Sequence, residues 1–227
     1  MKDYIYHIED KDIFVNIPTT EDGIPCWYYL LEGPIFKQAG AYAAIKRDLN
    51  DCKNAVDLLI KDINDPHFLD IIKTSLSFAT IIKYSRCFNT GKGRGTSLNS
   101  AQLFRGLDPM HLDFHKEIME IRNKYLAHAG ESPYETGTMM LILNPDAENK
   151  EIKHTRFSGF SLKDDDSNLN KYKKIIEIVI QYVDDKIEYL KPLINKMVLD
   201  LDLNVIYQNA NVPDPDRLKP FPVNYID

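Results

Sequence analysis

The sequence predicts a mainly α-helical protein, a four-to-five-helix up-and-down bundle with a small β-hairpin inserted before the last long helix. Over four long stretches, apolar residues recur at three- and four-residue spacing, as the buried face of a helix requires. Two β-leaning runs, 136–143 and 150–158, flank the polar segment 144–146, which is typical of a hairpin. With 227 residues, 44% of them hydrophobic, the chain is long enough to bury one sizeable core.

Helix boundaries are predicted from proline, glycine and capping residues. The third long helix, for example, starts after Asp108 as its cap and stops before Gly130. Glycines in the segment 91–95 leave the backbone too free for a helix, so this segment is a connector. The predicted helices are a first from Pro34, a second from residue 66 to about 88, a short one over 98–107, a third over 109–129 and a fourth that carries the apolar residues of 175–194.

These elements divide the chain into three parts. Residues 1–33 are predicted to form an irregular or strand-like N-terminal arm, and residues 34–205 the helical bundle, including the hairpin within 136–158. Residues 206–227 contain four prolines and form an extended tail.

Composition limits the classes of protein to consider. The chain carries 28 basic and 34 acidic residues, a net charge of −6, which argues against a uniformly basic surface for nucleic acid but allows a local basic site. Three widely spaced cysteines fit reduced thiols and favour the cytoplasm. We expect no membrane span, since no apolar run reaches about 18 residues.

The third helix has polar groups on its apolar side. At about 100° per residue, His111, His115 and Arg122 fall in the middle of the apolar arc, and His128 falls at its margin. An unpaired guanidinium is costly to bury, so Arg122 is paired with an acid on another helix, exposed in a cleft or placed there for function. Such breaks in the pattern often mark a site.

The stretch 121–129, Ile-Arg-Asn-Lys-Tyr-Leu-Ala-His-Ala, resembles the signature of HEPN-domain proteins. In that signature an arginine, usually followed by a polar residue, precedes a histidine by a few positions. Here Arg122 and Asn123 are followed by His128 at the end of a helix, with two long helices before it and one after it. The resemblance in helix order covers about residues 34–200.

The resemblance implies a metal-independent endoribonuclease, a toxin or antiphage defence effector, with two motifs facing each other across a homodimer. Its partners would be RNA and a cognate antitoxin or defence protein. In this family pattern Arg122 and His128 are catalytic, since a guanidinium holds phosphate and an imidazole exchanges protons near neutral pH. On an ideal helix the two side chains lie about 120° apart, so a cleft built by a dimer would help align them. No cofactor or metal is expected.

Further candidates for binding RNA lie near the motif. Between residues 83 and 128 there are eight basic and four acidic residues, so this segment is positive within an acidic chain. Lys92 and Arg94 on the glycine connector, together with Asn123 and His115, are the predicted substrate-binding residues.

Other interpretations of the same residues stay open. The chain could be a HEPN-like module that binds a nucleotide or protein without catalysis, or an interaction protein in which Arg122 forms a buried ion pair. His111 and His115 are four residues apart, but the glutamate that a metalloprotease helix places between its two histidines is missing, and no third ligand is evident. A metal site is therefore disfavoured.

Overall fold

The protein is described by a computed structural model that covers residues 3–8, 13–62, 70–89, 95–126, 138–145, 150–158 and 166–220. Its helices are α1 (Pro34–Asp62), α2 (Asp70–Arg86), α3 (Ser100–Leu103), α4 (Pro109–Ile121), α5 (Asp166–Leu199) and α6 (Leu203–Gln208). Its strands are β1 (Asp3–Ile8), β2 (Ile13–Pro18), β3 (Thr138–Leu143), β4 (Ile152–Ser158) and β5 (Lys219–Pro220). A mainly helical fold with a small two-stranded sheet is thus confirmed.

The chain divides into two compact units, one formed by Met1–Phe36 with Pro192–Asp227 and the other by Lys37–Lys191. In the first unit, β1 lies between β2 and β5 in an antiparallel sheet, with Tyr4 opposite Ile17 on one side and Pro220 on the other. The predicted tail is therefore not extended throughout, since α6 ends within it and β5 closes the sheet.

The second unit has one core to which four long helices contribute. Its buried apolar residues come from α1, α2, α4 and α5 and from the segment around α3, and they include Ile45, Leu49, Val56, Ile81, Tyr84, Leu103, Phe104, Ile118, Ile176 and Val179. These residues are spaced three, four or seven apart within each long helix, as the apolar periodicity predicted. No helix in the described part of the chain is long and apolar enough to span a bilayer.

Several predicted boundaries are changed by local chemistry. The short helix predicted over 98–107 is one turn, Ser100–Leu103, capped by the Asn99 side chain and followed by Gly106 at φ 78°. Helix α5 begins at Asp166, well before the predicted apolar run at Ile175. The sequence did not predict this start because the first turns of α5 are mostly polar and show little apolar periodicity. The predicted hairpin is confirmed as β3 paired antiparallel with β4.

Candidate functional site

Helix α4 begins as predicted. The Asp108 carboxylate accepts a hydrogen bond from the Met110 backbone N–H at 2.9 Å, and Pro109 occupies the first turn, where a missing N–H costs nothing. This cap fixes the start of the helix that carries the motif.

The far end of α4 differs from the prediction. The α-helix ends at Ile121, and Arg122–Leu126 continue as a π-helical turn, so the single α-helix predicted over 109–129 is wrong from Arg122 to Leu126. Single π-turns are rare, and many lie at functional sites. Because a π-turn has wider spacing per turn than an α-helix, the predicted angle of about 120° between the motif side chains no longer applies. His128 lies outside the described residues, as do Lys92 and Arg94.

Arg122 is half-buried, and its guanidinium is oriented by its neighbour. Nη1 donates a hydrogen bond to Oδ1 of Asn123 at 2.8 Å. Within the described residues, no carboxylate forms an ion pair with Arg122, so the part of the chain that is described gives no support to a buried ion pair. A guanidinium carries five N–H donors, and those not used by Asn123 are available to a phosphate.

An open groove of about 390 Å³ runs along α4 to the π-turn. Its lining follows the three- and four-residue spacing of one helix face and consists of Leu112, His115, Lys116, Met119, Glu120, Asn123 and Lys124, with Ser100 from α3. Two of the predicted substrate-binding residues, His115 and Asn123, therefore lie on the same surface. Apolar groups make up most of that surface, with a few polar groups that converge on it, which is the usual composition of a ligand site.

His115 lies at the base of this groove and is only 5% exposed. Its Nδ1 is 3.1 Å from the hydroxyl of Tyr84 on α2, and the rings of Phe88 and Phe104 lie 4.4 and 5.2 Å from the imidazole. Burial, with a smaller effect from the nearby Lys116 ammonium, lowers the pKa of His115 from 6.5 to about 4. The imidazole is therefore neutral at pH 7.

Ion pairs reduce the positive charge of the groove. Lys124 of the π-turn contacts Glu120 of α4 at 2.5 Å, and Lys116 contacts Asp113 within α4 at 3.2 Å. Both lysines are more than half exposed, so these pairs are screened by water and contribute little to stability. Of the cations described on α4 and the π-turn, Arg122 is the one without an acidic partner.

Sequence analysis missed the contribution of Met119 and Glu120 to the groove and the partner of His115. Glu120 is exposed, and nothing in the sequence indicates that it borders a groove. The sequence did hold a signal for the partner of His115. Tyr84 lies on the apolar face of α2, and a buried tyrosine hydroxyl needs a hydrogen-bond partner.

Within the described residues, no three side chains of the metal-ligating types lie close enough together to hold an ion. No family model, curated protein or solved structure matches this chain.

Proposed function

We propose that this protein is a metal-independent endoribonuclease of the HEPN type that acts as a toxin or an antiphage defence effector. The observation that supports it is Arg122, a half-buried arginine that has no acidic partner among the described residues and is hydrogen-bonded to Asn123, which lines a groove. An arginine held in this way is prepared to bind a phosphate with its planar fork.

The proposed reaction uses the nucleophile that RNA carries. The 2′-oxygen attacks the adjacent phosphorus as its proton is removed, the bond from phosphorus to the 5′-oxygen breaks, and a 2′,3′-cyclic phosphate is left. Arg122 neutralises the charge that builds on the phosphoryl oxygens, and His128 transfers a proton at the 2′-oxygen or the leaving 5′-oxygen. No cofactor is needed for these steps.

A homodimer in which the motif helices face each other would supply two copies of Arg122 and His128 to one cleft. One copy could then hold the phosphate while the partner's imidazole transfers the proton. A cognate antitoxin or defence protein would control such an activity in the cell.

The test is incubation of the purified chain with mixed RNA in EDTA, followed by analysis of the fragment ends. We expect cyclic phosphate ends from the parent and a loss of rate of about 10²- to 10⁴-fold for His128→Ala, the range of general acid–base catalysis. Arg122→Lys should lose about 10²-fold or more, because an ammonium cannot replace the bidentate fork.

Two matched variants serve as controls. Arg47→Lys changes an exposed arginine on α1, and His111→Ala changes a histidine one turn before His115; both should keep the parent rate. Circular dichroism checks that every variant is folded. If the parent cuts no RNA in any oligomeric state, or if it still cuts in full after His128→Ala, the proposed mechanism is wrong.

A binding module without catalysis is the second candidate. It is favoured by the groove itself, whose lining residues come from α3, α4 and the π-turn and do not include His128. A chain of this class would bind nucleotide equally well before and after His128→Ala, and the parent would cut no RNA.

A further inference from the structure

We propose that the groove along α4 is a subsite for one RNA base that presents a carbonyl oxygen at its reading edge, guanine or uracil, next to the phosphate on Arg122. This inference rests on the proposed function for its biological role, but it concerns binding and is tested separately from cleavage. Four features of the groove support it.

The first is the orientation of the Asn123 amide. An arginine N–H can bond to the amide oxygen but not to the amide NH₂, so the 2.8 Å contact with Arg122 fixes which end of the amide is which. Oδ1 is engaged with the guanidinium, and Nδ2 keeps two N–H donors for a group in the groove. Asn123 thus connects the phosphate position with the groove.

The second is the tautomer of His115. The hydroxyl of Tyr84 is buried, and within the described residues its hydrogen-bond partner is Nδ1 of His115. A buried donor is rarely left unpaired, so we assign the tyrosine as donor to Nδ1, which places the ring hydrogen on Nε2. Because burial keeps this imidazole neutral at pH 7, it offers the groove a donor without a charge.

The third is the apolar lining. Leu112 and Met119 lie one on each side of His115 along the groove, and a thioether packs well against the face of an aromatic ring. The volume of about 390 Å³ is within the range of small-molecule sites. Such a surface suits the flat, mostly apolar body of a nucleobase.

The fourth is the placement of charge. Lys116 and Lys124 line the groove together with Glu120, and each lysine is paired with an acid, Asp113 or Glu120. Arg122 has no acidic partner among the described residues. Charge therefore favours the phosphate at Arg122 over the groove, where the cations are already paired.

Together, Asn123 and His115 present N–H donors and so select for acceptors. Guanine O6 and uracil O4 are acceptors, whereas adenine and cytosine have amino donors at the corresponding positions. An amino group of the base that faces an N–H donor of the groove leaves both donors unpaired, which typically weakens binding of the nucleotide by about tenfold.

The experiment is calorimetric titration of the full-length parent with the 3′-monophosphates of guanosine, uridine, adenosine and cytidine. We expect the first two to bind about tenfold more tightly than the last two. Asn123→Asp keeps an oxygen for Arg122 but removes both N–H donors, so it should abolish or invert this ratio. The added charge weakens all four nucleotides together and does not move the ratio. Asn50→Asp, at an exposed position on α1, is the matched control and should keep the ratio of the parent.

The outcomes separate this inference from the proposed function. A preference for guanine and uracil without RNA cleavage supports the subsite and contradicts the ribonuclease. Cleavage with equal affinity for the four nucleotides, no measurable binding of any of them, or a ratio unchanged by Asn123→Asp overturns the subsite.

Discussion

Acidification should destabilise the fold through His115. The folded state holds this imidazole with a pKa of about 4, while the unfolded chain binds a proton at the usual value near 6.5. Between these values the unfolded state binds more protons, so the free energy of unfolding falls as the pH falls. The stabilisation from a neutral His115 is complete above pH 6.5 and is lost as the pH decreases toward 4.

The magnitude follows from the two pKa values. From pH 7 to pH 5, this single group should remove about 2 kcal/mol from the free energy of unfolding. Because His115 is only 5% exposed, solvent screens its charge little and the shift in its pKa acts on the free energy of unfolding almost in full. The nearby positive charge of Lys116 acts in the same direction as burial and is already included in this pKa of about 4.

Urea denaturation of the parent and of His115→Phe at several pH values between 7 and 5 measures this effect. Phenylalanine cannot take up a proton, so the difference in stability between the two proteins should change by about 2 kcal/mol over this range. The variant also leaves the Tyr84 hydroxyl unpaired, but that cost is the same at each pH and does not alter the slope. His111→Phe should keep the slope of the parent. Parallel curves for the parent and His115→Phe would show that the imidazole is not held neutral by burial.

Three further predictions concern stability and reactivity. Arg122→Ala should change the free energy of unfolding by less than about 1 kcal/mol, measured by urea denaturation, because no described carboxylate is left unpaired; a loss of about 3 kcal/mol would favour the buried ion pair instead. Ile118→Ala should destabilise by about 2–5 kcal/mol in the same assay, since the side chain is fully buried in the core. With a thiol reagent at pH 8, the native protein should react at Cys26 alone, whereas Cys52 and Cys87 should react only after denaturation. Both of these are fully buried, and burial raises the pKa of Cys52 to about 12; rapid modification of three thiols in the native protein would contradict this expectation.

The long helices were predictable because burial imposes a period on the sequence. In α4 the buried apolar residues, Ile118 and Ile121, lie on the predicted apolar side, and the Asp108 cap predicted the first residue of the helix. The start of α5 was not predicted because its first turns are mostly polar. Leu169 is buried there, but a single buried residue gives no apolar periodicity to detect. The pairing of strand β1 with strand β5 could not be predicted either, because Tyr4 and Pro220 are far apart in the sequence and their contact leaves no local pattern.

The candidate site was predictable in part. The helical wheel placed His115 on the apolar face, and its burial confirms that placement. It could not foresee the hydrogen bond with Tyr84, which joins residues 31 positions apart. Nor could it foresee the change of helix type at Arg122, since a wheel assumes one angle per residue along its whole length. The catalytic roles of Arg122 and His128 stay predictions that the RNA assay tests.

The end of α4 bears directly on what Arg122 can do. Arg122 keeps α-helical backbone angles, and its N–H bonds back to the carbonyls of Ile118 and Met119, so its side chain leaves the helix on the side that carries Ile118 and Ile121. Deeper in that face a guanidinium would need an acidic partner in the core. At the last position of the helix the side chain is only half-buried, and Nη1 bonds to the neighbouring Asn123, which lines the groove. This place at the end of the helix, rather than the turn that follows it, keeps the guanidinium partly exposed without an acidic partner in the described part of the chain.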